Sequence, residues 1–278
     1  MIGLSTDLMS TSNIVGNVGG EPYQNQGSFS GSFDGVGDIA TVIGSEIDGH
    51  PLKPTAAMSA SCWVKLDADT YTTSGNKHIM GNIYTGGWGV YIVNSGGNDT
   101  ILHFEVGVTA GGDTYNYIDS TVANTQTDAM GTNWAHIAVT FDGTTAKIYV
   151  NNSTTGVTAV AQSSGSPTTI DYTNNGNAAQ IIEFAMGASA QHGDGMHGLL
   201  DDVAVWNTAL DSTNIGVIYN SGSPFDLRYD SGGYDQSDKL IGYWTFDDGQ
   251  GVEVGDWSNI YNHPALLAAD ATFSTTTP

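Results

Sequence analysis

Basic residues are scarce in this chain. Six Lys plus Arg stand against 29 Asp plus Glu in 278 residues, for a formal net charge of −23. Such a surface repels phosphate backbones and anionic lipid headgroups, so the expected partners include no nucleic acid and no membrane. Cysteine is nearly missing too: the single Cys62 cannot close an intramolecular disulfide, which removes both disulfide staples and dithiol redox chemistry. Gly, Ser, Thr or Asp interrupts every apolar run before it reaches the roughly 18 residues of a membrane span. The opening Met1-Ile2-Gly3-Leu4-Ser5-Thr6-Asp7 lacks the basic and apolar stretches of a secretory leader. A chain of this kind is expected to reach the outside by lysis, by another export route or inside an assembled particle.

Glycine supplies 37 positions and charged residues only 13%, a turn-rich composition that points to an all-β fold. The length suits one large or two small domains with a core of their own. Residues 1–28 read as a polar arm, residues 29–222 as a β-sandwich, and residues 223–278 as a segment with a further strand at 240–247 and a Thr-rich tail. The run Ala60–Leu66 alternates, placing Ala60, Cys62, Val64 and Leu66 on one face and Ser61, Trp63 and Lys65 on a wet one. Trp134–Phe141, Asp142-Gly143 and Ala146–Val150 spell a hairpin whose Asp-Gly supplies the turn. Further strands are expected at 89–93, 101–106, 181–186 and 199–206. One helical turn is expected at 211–219, capped by Asp211, with Ile215, Ile218 and Tyr219 as its apolar stripe.

The order of these blocks resembles the laminin-G-like, concanavalin-A-like jelly-roll domains. The blocks that carry the likeness are Ser32-Phe33-Asp34-Gly35, Ser61-Cys62-Trp63-Val64-Lys65, the hairpin Trp134–Val150, and Gly198–Asn207 followed by Ala209-Leu210. The resemblance implies a two-sheet antiparallel jelly-roll sandwich. The block that usually opens such domains stands last here, as Gly242-Tyr243-Trp244-Thr245-Phe246-Asp247-Asp248-Gly249 with Asp256-Trp257-Ser258-Asn259. This order predicts a circular permutation in which Tyr243–Phe246 fills the edge left by the missing first strand, in its own subunit or a neighbour's. The arm, the permuted order and the tail also resemble laminin-G-like proteins of tailed phages.

Chemistry is thin. Glu46-Ile47-Asp48-Gly49-His50 opens like the glycosidase strand Glu-x-Asp-x-x-Glu, then meets Pro51, finds no second Glu and sits at a turn. Gly187-Ala188-Ser189-Ala190-Gln191 lacks the second glycine of a nucleophile elbow. His192, Asp194 and His197 can gather on zinc if a loop folds them together, but a Gly-rich loop before a strand explains them as well. His136 and Cys62 read as packing residues. Calcium, a structural cofactor of many laminin-G-like domains, is the ion the resemblance implies, with Asp34, Asp38 and Asp201 as matching ligands. Asp201 reads on the inner face with Leu199, Val203 and Val205. Trp88, Tyr91, Tyr115 and Tyr117 are the expected glycan-contact residues, with Tyr172 and Trp206 also at strand ends or Gly-rich loops.

The sequence therefore predicts a non-enzymatic structural or adhesion sandwich on a virion surface, as a capsid decoration or fibre. Its expected partners are other virion proteins, copies of itself and surface glycans. A cellular carbohydrate-binding module, secreted or at the cell surface, and a glycoside hydrolase with a degenerate site around Glu46 and Asp48 are the alternatives.

Overall fold

The computed structural model describes residues 27–47, 49–72, 74–83, 86–94, 100–108, 116–123, 130–159, 169–172, 183–188 and 194–278. Most of the expected arm, together with Asp48, Tyr115, Ser189 and His192, lies outside them. The first strands are β1 (Ser30–Val36), β2 (Ile39–Val42), β3 (Met58–Leu66), β4 (Gly75–Gly81), β5 (Trp88–Asn94), β6 (Thr100–Val108) and β7 (Asn116–Val122). Next come β8 (Ala135–Phe141), β9 (Thr145–Val150), β10 (Ser153–Ala159), β11 (Ala185–Met186) and β12 (Asp194–Trp206). The helix α1 (Ser212–Tyr219) leads to β13 (Leu240–Trp244), β14 (Glu253–Val254), β15 (Ala265–Ala268) and β16 (Thr272–Ser274).

Two antiparallel sheets result. One runs β10-β9-β8-β3-β12, with β1 beside the first half of β12, β13 beside its second half, and β16 beyond β1. The other runs β7-β6-β5-β4-β11-β2-β15-β14. A single parallel pair, Gly195 with His78, links them. Inward side chains from both sheets, among them Cys62, Val64, Ile137, Val139, Trp88, Val90, Phe104 and Trp244, share one core. Each such side chain contributes about 1.5–3 kcal/mol on burial.

The hairpin and helix follow from local chemistry. Asp142 accepts from the amides of Thr144 and Thr145, and Gly143 takes φ 89°, closing β8 onto β9. Asp211 caps α1 by accepting from the amide of Asn214 at 2.8 Å, and Asn220 ends it in the left-handed region.

Three features differ from expectation. The outer face of β3 is dry: Ser61 is 2% and Trp63 4% exposed. Trp63 stacks on Tyr219 of α1, and a second apolar cluster of Trp206, Ile215, Ile218, Leu227, Tyr234 and Tyr243 covers the neighbouring strands. On β12, Leu200 rather than Leu199 shares the interior with Val203 and Val205. A bulge between Asp201 and Ala204, with Asp202 at φ 47°, absorbs the change of phase. The last long strand stops at Trp244 and pairs with Val203–Trp206 of its own chain.

Candidate functional site

Alternation gives β5, β6 and β7 one buried and one outward face. Trp88, Val90, Ile92, Leu102, Phe104, Val106 and Ile118 fill the interior, so Tyr91, His103, Glu105 and Asp119 project from the other side. Register then brings them together: Tyr91 stands opposite His103, and Glu105 opposite Asp119. Directly opposed side chains in such pairs have Cβ atoms about 5 Å apart. The Tyr91 and His103 rings stack with centroids 5.1 Å apart and planes within 5°. His78, opposite Tyr91 on β4, flanks it at 5.1 Å.

Each carboxylate has a donor in place. The Tyr91 hydroxyl donates to Glu105, and Nδ1 of His103 lies 2.9 and 2.8 Å from the two oxygens of Asp119. A carboxylate offers about four lone-pair sites, and the single imidazole edge on Asp119 leaves room there for the hydroxyls of a polyol. Tyr91 itself is 8% exposed and flanked by imidazoles; it positions Glu105 and has no free face on which a sugar can stack.

The other expected contact residues are placed differently. Trp88 is fully buried, its ring 5.9 Å from Phe184. Tyr117 lies on β7 opposite Gly107, and Tyr115 falls outside the described residues. The Tyr172 hydroxyl donates to the Pro54 carbonyl at 2.9 Å. Trp206 is buried and donates from Nε1 to the Tyr234 hydroxyl. His103, Glu105 and Asp119 were not among the expected residues, although the alternation of Ile101–Val106 marks two of them as outward.

The three calcium candidates do not converge. Asp38 is buried, and its two oxygens accept from the amides of Asp34 and Asp270 at 2.8 and 2.9 Å. Asp34 caps its own turn through the Val36 amide. Register puts Asp34 opposite His197, four residues from Asp201 on β12, or about 13 Å at strand rise. Asp201 instead accepts from the Asp202 amide, and burial and its neighbours Asp202 and Asp247 push its carboxyl well up. These residues do not fit a shared calcium ion. Of the zinc candidates, His197 sits between Asp69 at 2.6 Å and Asp67 at 3.2 Å. Among the described residues no three His, Cys, Asp or Glu side chains form a metal-holding group.

Glu46 lies at a turn, as its sequence context indicated. Its carbonyl accepts from the Lys53 ammonium, and its Oε2 is buried without a hydrogen-bond partner among the described residues. Glu183 is its neighbour; burial, then the charge of Glu46, raises the Glu183 carboxyl. His136 packs against Trp63 at 5.2 Å, and burial lowers its imidazole to about 3, so it is neutral. Burial likewise raises the Cys62 thiol and keeps it inert.

Residues 43–216 match the family profile described as the concanavalin A-like lectin/glucanases superfamily. The fold is similar to that of a proposed carbohydrate-binding protein from Bacteroides ovatus, at TM-score 0.56 and 17% identity over 90% of this chain and 60% of that one. The chain thus spans about three-fifths of that relative's length. Weaker likenesses include the native heptameric SAP-like pentraxin of Limulus polyphemus, at TM-score 0.43 and 14% identity over 71% of this chain and 83% of that one. Another is the binding domain of botulinum neurotoxin serotype D, at TM-score 0.48 and 12% identity over 73% and 44%. No curated protein matches the chain.

Proposed function

The chain belongs to the concanavalin A-like lectin/glucanases superfamily, and from that premise we propose that it is a non-enzymatic, glycan-binding adhesion protein. The observation that carries this reading is the outward array on β5–β7, where Tyr91 and His103 hold Glu105 and Asp119 in register. Acceptors fixed on adjacent strands lose little freedom when a ligand arrives, so hydroxyl donors meet a prepared surface. Both carboxylates are partly exposed and already engaged by donors. The acid of a glycosidase is instead kept protonated by apolar surroundings.

Binding of the full chain to a glycan array tests this. Glu105→Gln and His103→Ala are expected to weaken the retained glycan by about tenfold each, as loss of a charge-assisted hydrogen bond implies, with melting unchanged. A ligand held equally by wild type and both variants removes the sheet face from the function.

The likeness to laminin-G-like phage proteins supports a place on a virion surface, alongside other virion proteins or copies of itself. Stoichiometric recovery from purified particles is the expected result, and recovery only from cell supernatant counts against it. A hydrolytic reading has one observation in its favour, the proximity of Glu183 to Glu46. It predicts slow release of reducing sugar that vanishes in Glu46→Gln.

A further inference from the structure

The three aromatic side chains that are exposed among the described residues are Tyr229 at 60%, Trp257 at 47% and Tyr261 at 37%. All lie in the C-terminal part of the chain, outside the family match at 43–216. They are braced from below. Asp256 accepts from the amides of Tyr243, Ser258 and His263 at 2.9–3.0 Å, which shapes the loop that carries Trp257 and Tyr261. The Trp257 amide donates to the Tyr243 carbonyl at 2.7 Å, anchoring the loop to β13. Asn259 donates to the Arg228 carbonyl and ties this loop to the neighbouring one.

Arg228 joins two of the rings, Tyr229 and Trp257. Its guanidinium lies 5.5 Å from the Tyr229 centroid and 5.7 Å from the Trp257 centroid. Asp226 grips it through two parallel bonds of 2.9 and 2.8 Å. That grip fixes the rings and balances the charge. Tyr261 stacks on His263, which meets His50 at 4.5 Å.

We infer that Tyr229, Trp257 and Tyr261 form a second glycan-binding site, one that takes a neutral hexopyranose chain. An aromatic ring has a negative face that attracts the C–H groups of a sugar's apolar side. Rigid rings of this kind bind at low entropic cost. The neutralised guanidinium and the net charge of −23 leave no attraction for an anionic ligand. The site draws only its ligand class from the proposed function; it does not require the β5–β7 face to bind anything.

The test titrates the full chain with four neutral polysaccharides, a soluble β-glucan, an α-glucan, a mannan and a galactan, and with one sulfated polysaccharide, read by calorimetry and tryptophan fluorescence, with the oligomeric state followed by sedimentation. Wild type, Trp257→Ala, Tyr229→Ala and Glu105→Gln are compared. The expected result is binding of at least one polysaccharide that weakens about tenfold or more in Trp257→Ala. It weakens less in Tyr229→Ala, with melting unchanged, and persists in Glu105→Gln. Binding lost in Glu105→Gln but kept in Trp257→Ala overturns this site and spares the sheet face; the reverse pattern spares this site alone. Wild-type binding to none of the four overturns it as well. So does a preference for a sulfated polysaccharide, or a dimer that Trp257→Ala turns into monomers.

Discussion

The Tyr243 hydroxyl donates to the buried carboxyl of Asp202 at 2.6 Å, fastening the C-terminal strand to the middle of the sheet that it borders. Asp202 stands at the bulge of β12, where burial is the main cause that pushes its carboxyl up to about 7.

Burial of that carboxyl, which outweighs the lowering by the Tyr243 hydroxyl, makes stability depend on pH. Between about 4, the ordinary aspartate value, and about 7, the folded chain keeps a proton that the unfolded chain has released. Stability from this group is therefore present at low pH and lost as pH rises through 7. Asp202→Asn keeps an acceptor for Tyr243 and removes the titration. It is expected to melt close to wild type below about pH 4 and above it at pH 8. His50 and His136, lowered to about 4 and about 3 chiefly by burial, act in the opposite direction as pH falls below about 6.5. They are common to both proteins and cancel in the comparison. A difference in melting that stays flat from pH 4 to 8 would contradict this account.

Asp38 is expected to matter without calcium. Asp38→Asn loses one of two amide acceptors in a buried position, a cost of about 1–3 kcal/mol. Denaturant unfolding should give the same loss in calcium and in chelator; a loss seen only in calcium would restore the metal reading.

A chain cut at Pro224 should not fold. It removes Leu240, Ile241, Tyr243, Trp244 and Phe246, all buried. Together they are worth on the order of 10 kcal/mol, about the whole stability of a typical domain. Sharp, wild-type-like amide dispersion in the truncated protein would refute this.

Gly198 is a backbone position sensitive to a single methyl. It holds φ +152°, and a Cβ there would overlap the Lys65 carbonyl oxygen of the neighbouring strand. Gly198→Ala is expected to cost about 2 kcal/mol or more, measured by urea unfolding. Retention of the wild-type midpoint would mean that β3 and β12 part more easily than their register indicates.

Local chemistry was the legible part. Asp142-Gly143 announced its turn, Asp211 its helix, and alternation along β5 and β6 their inner and outer faces. What lay beyond the sequence depends on distant segments. Nothing near Trp63 tells that Tyr219 covers it. Period-two reading along β12 put Asp201 in phase with Val203, because a bulge leaves no mark in apolar spacing. Tyr91 was singled out for the site, but its role rests on Glu105, fourteen residues away, and on a register that only pairing fixes. Trp257 was met inside a turn motif; its exposure follows from the loop that Asp256 organises.

One flank of β12 is shared by the two ends of the described chain: β1 covers its first half and β13 its second. A ribosome must therefore have passed Trp244 before that flank can be covered. Until then the nascent sandwich carries an open strand border with unpaired amides and carbonyls. During synthesis this is the interval in which a chaperone, or the border of another nascent copy, competes for the place that Leu240–Trp244 will occupy.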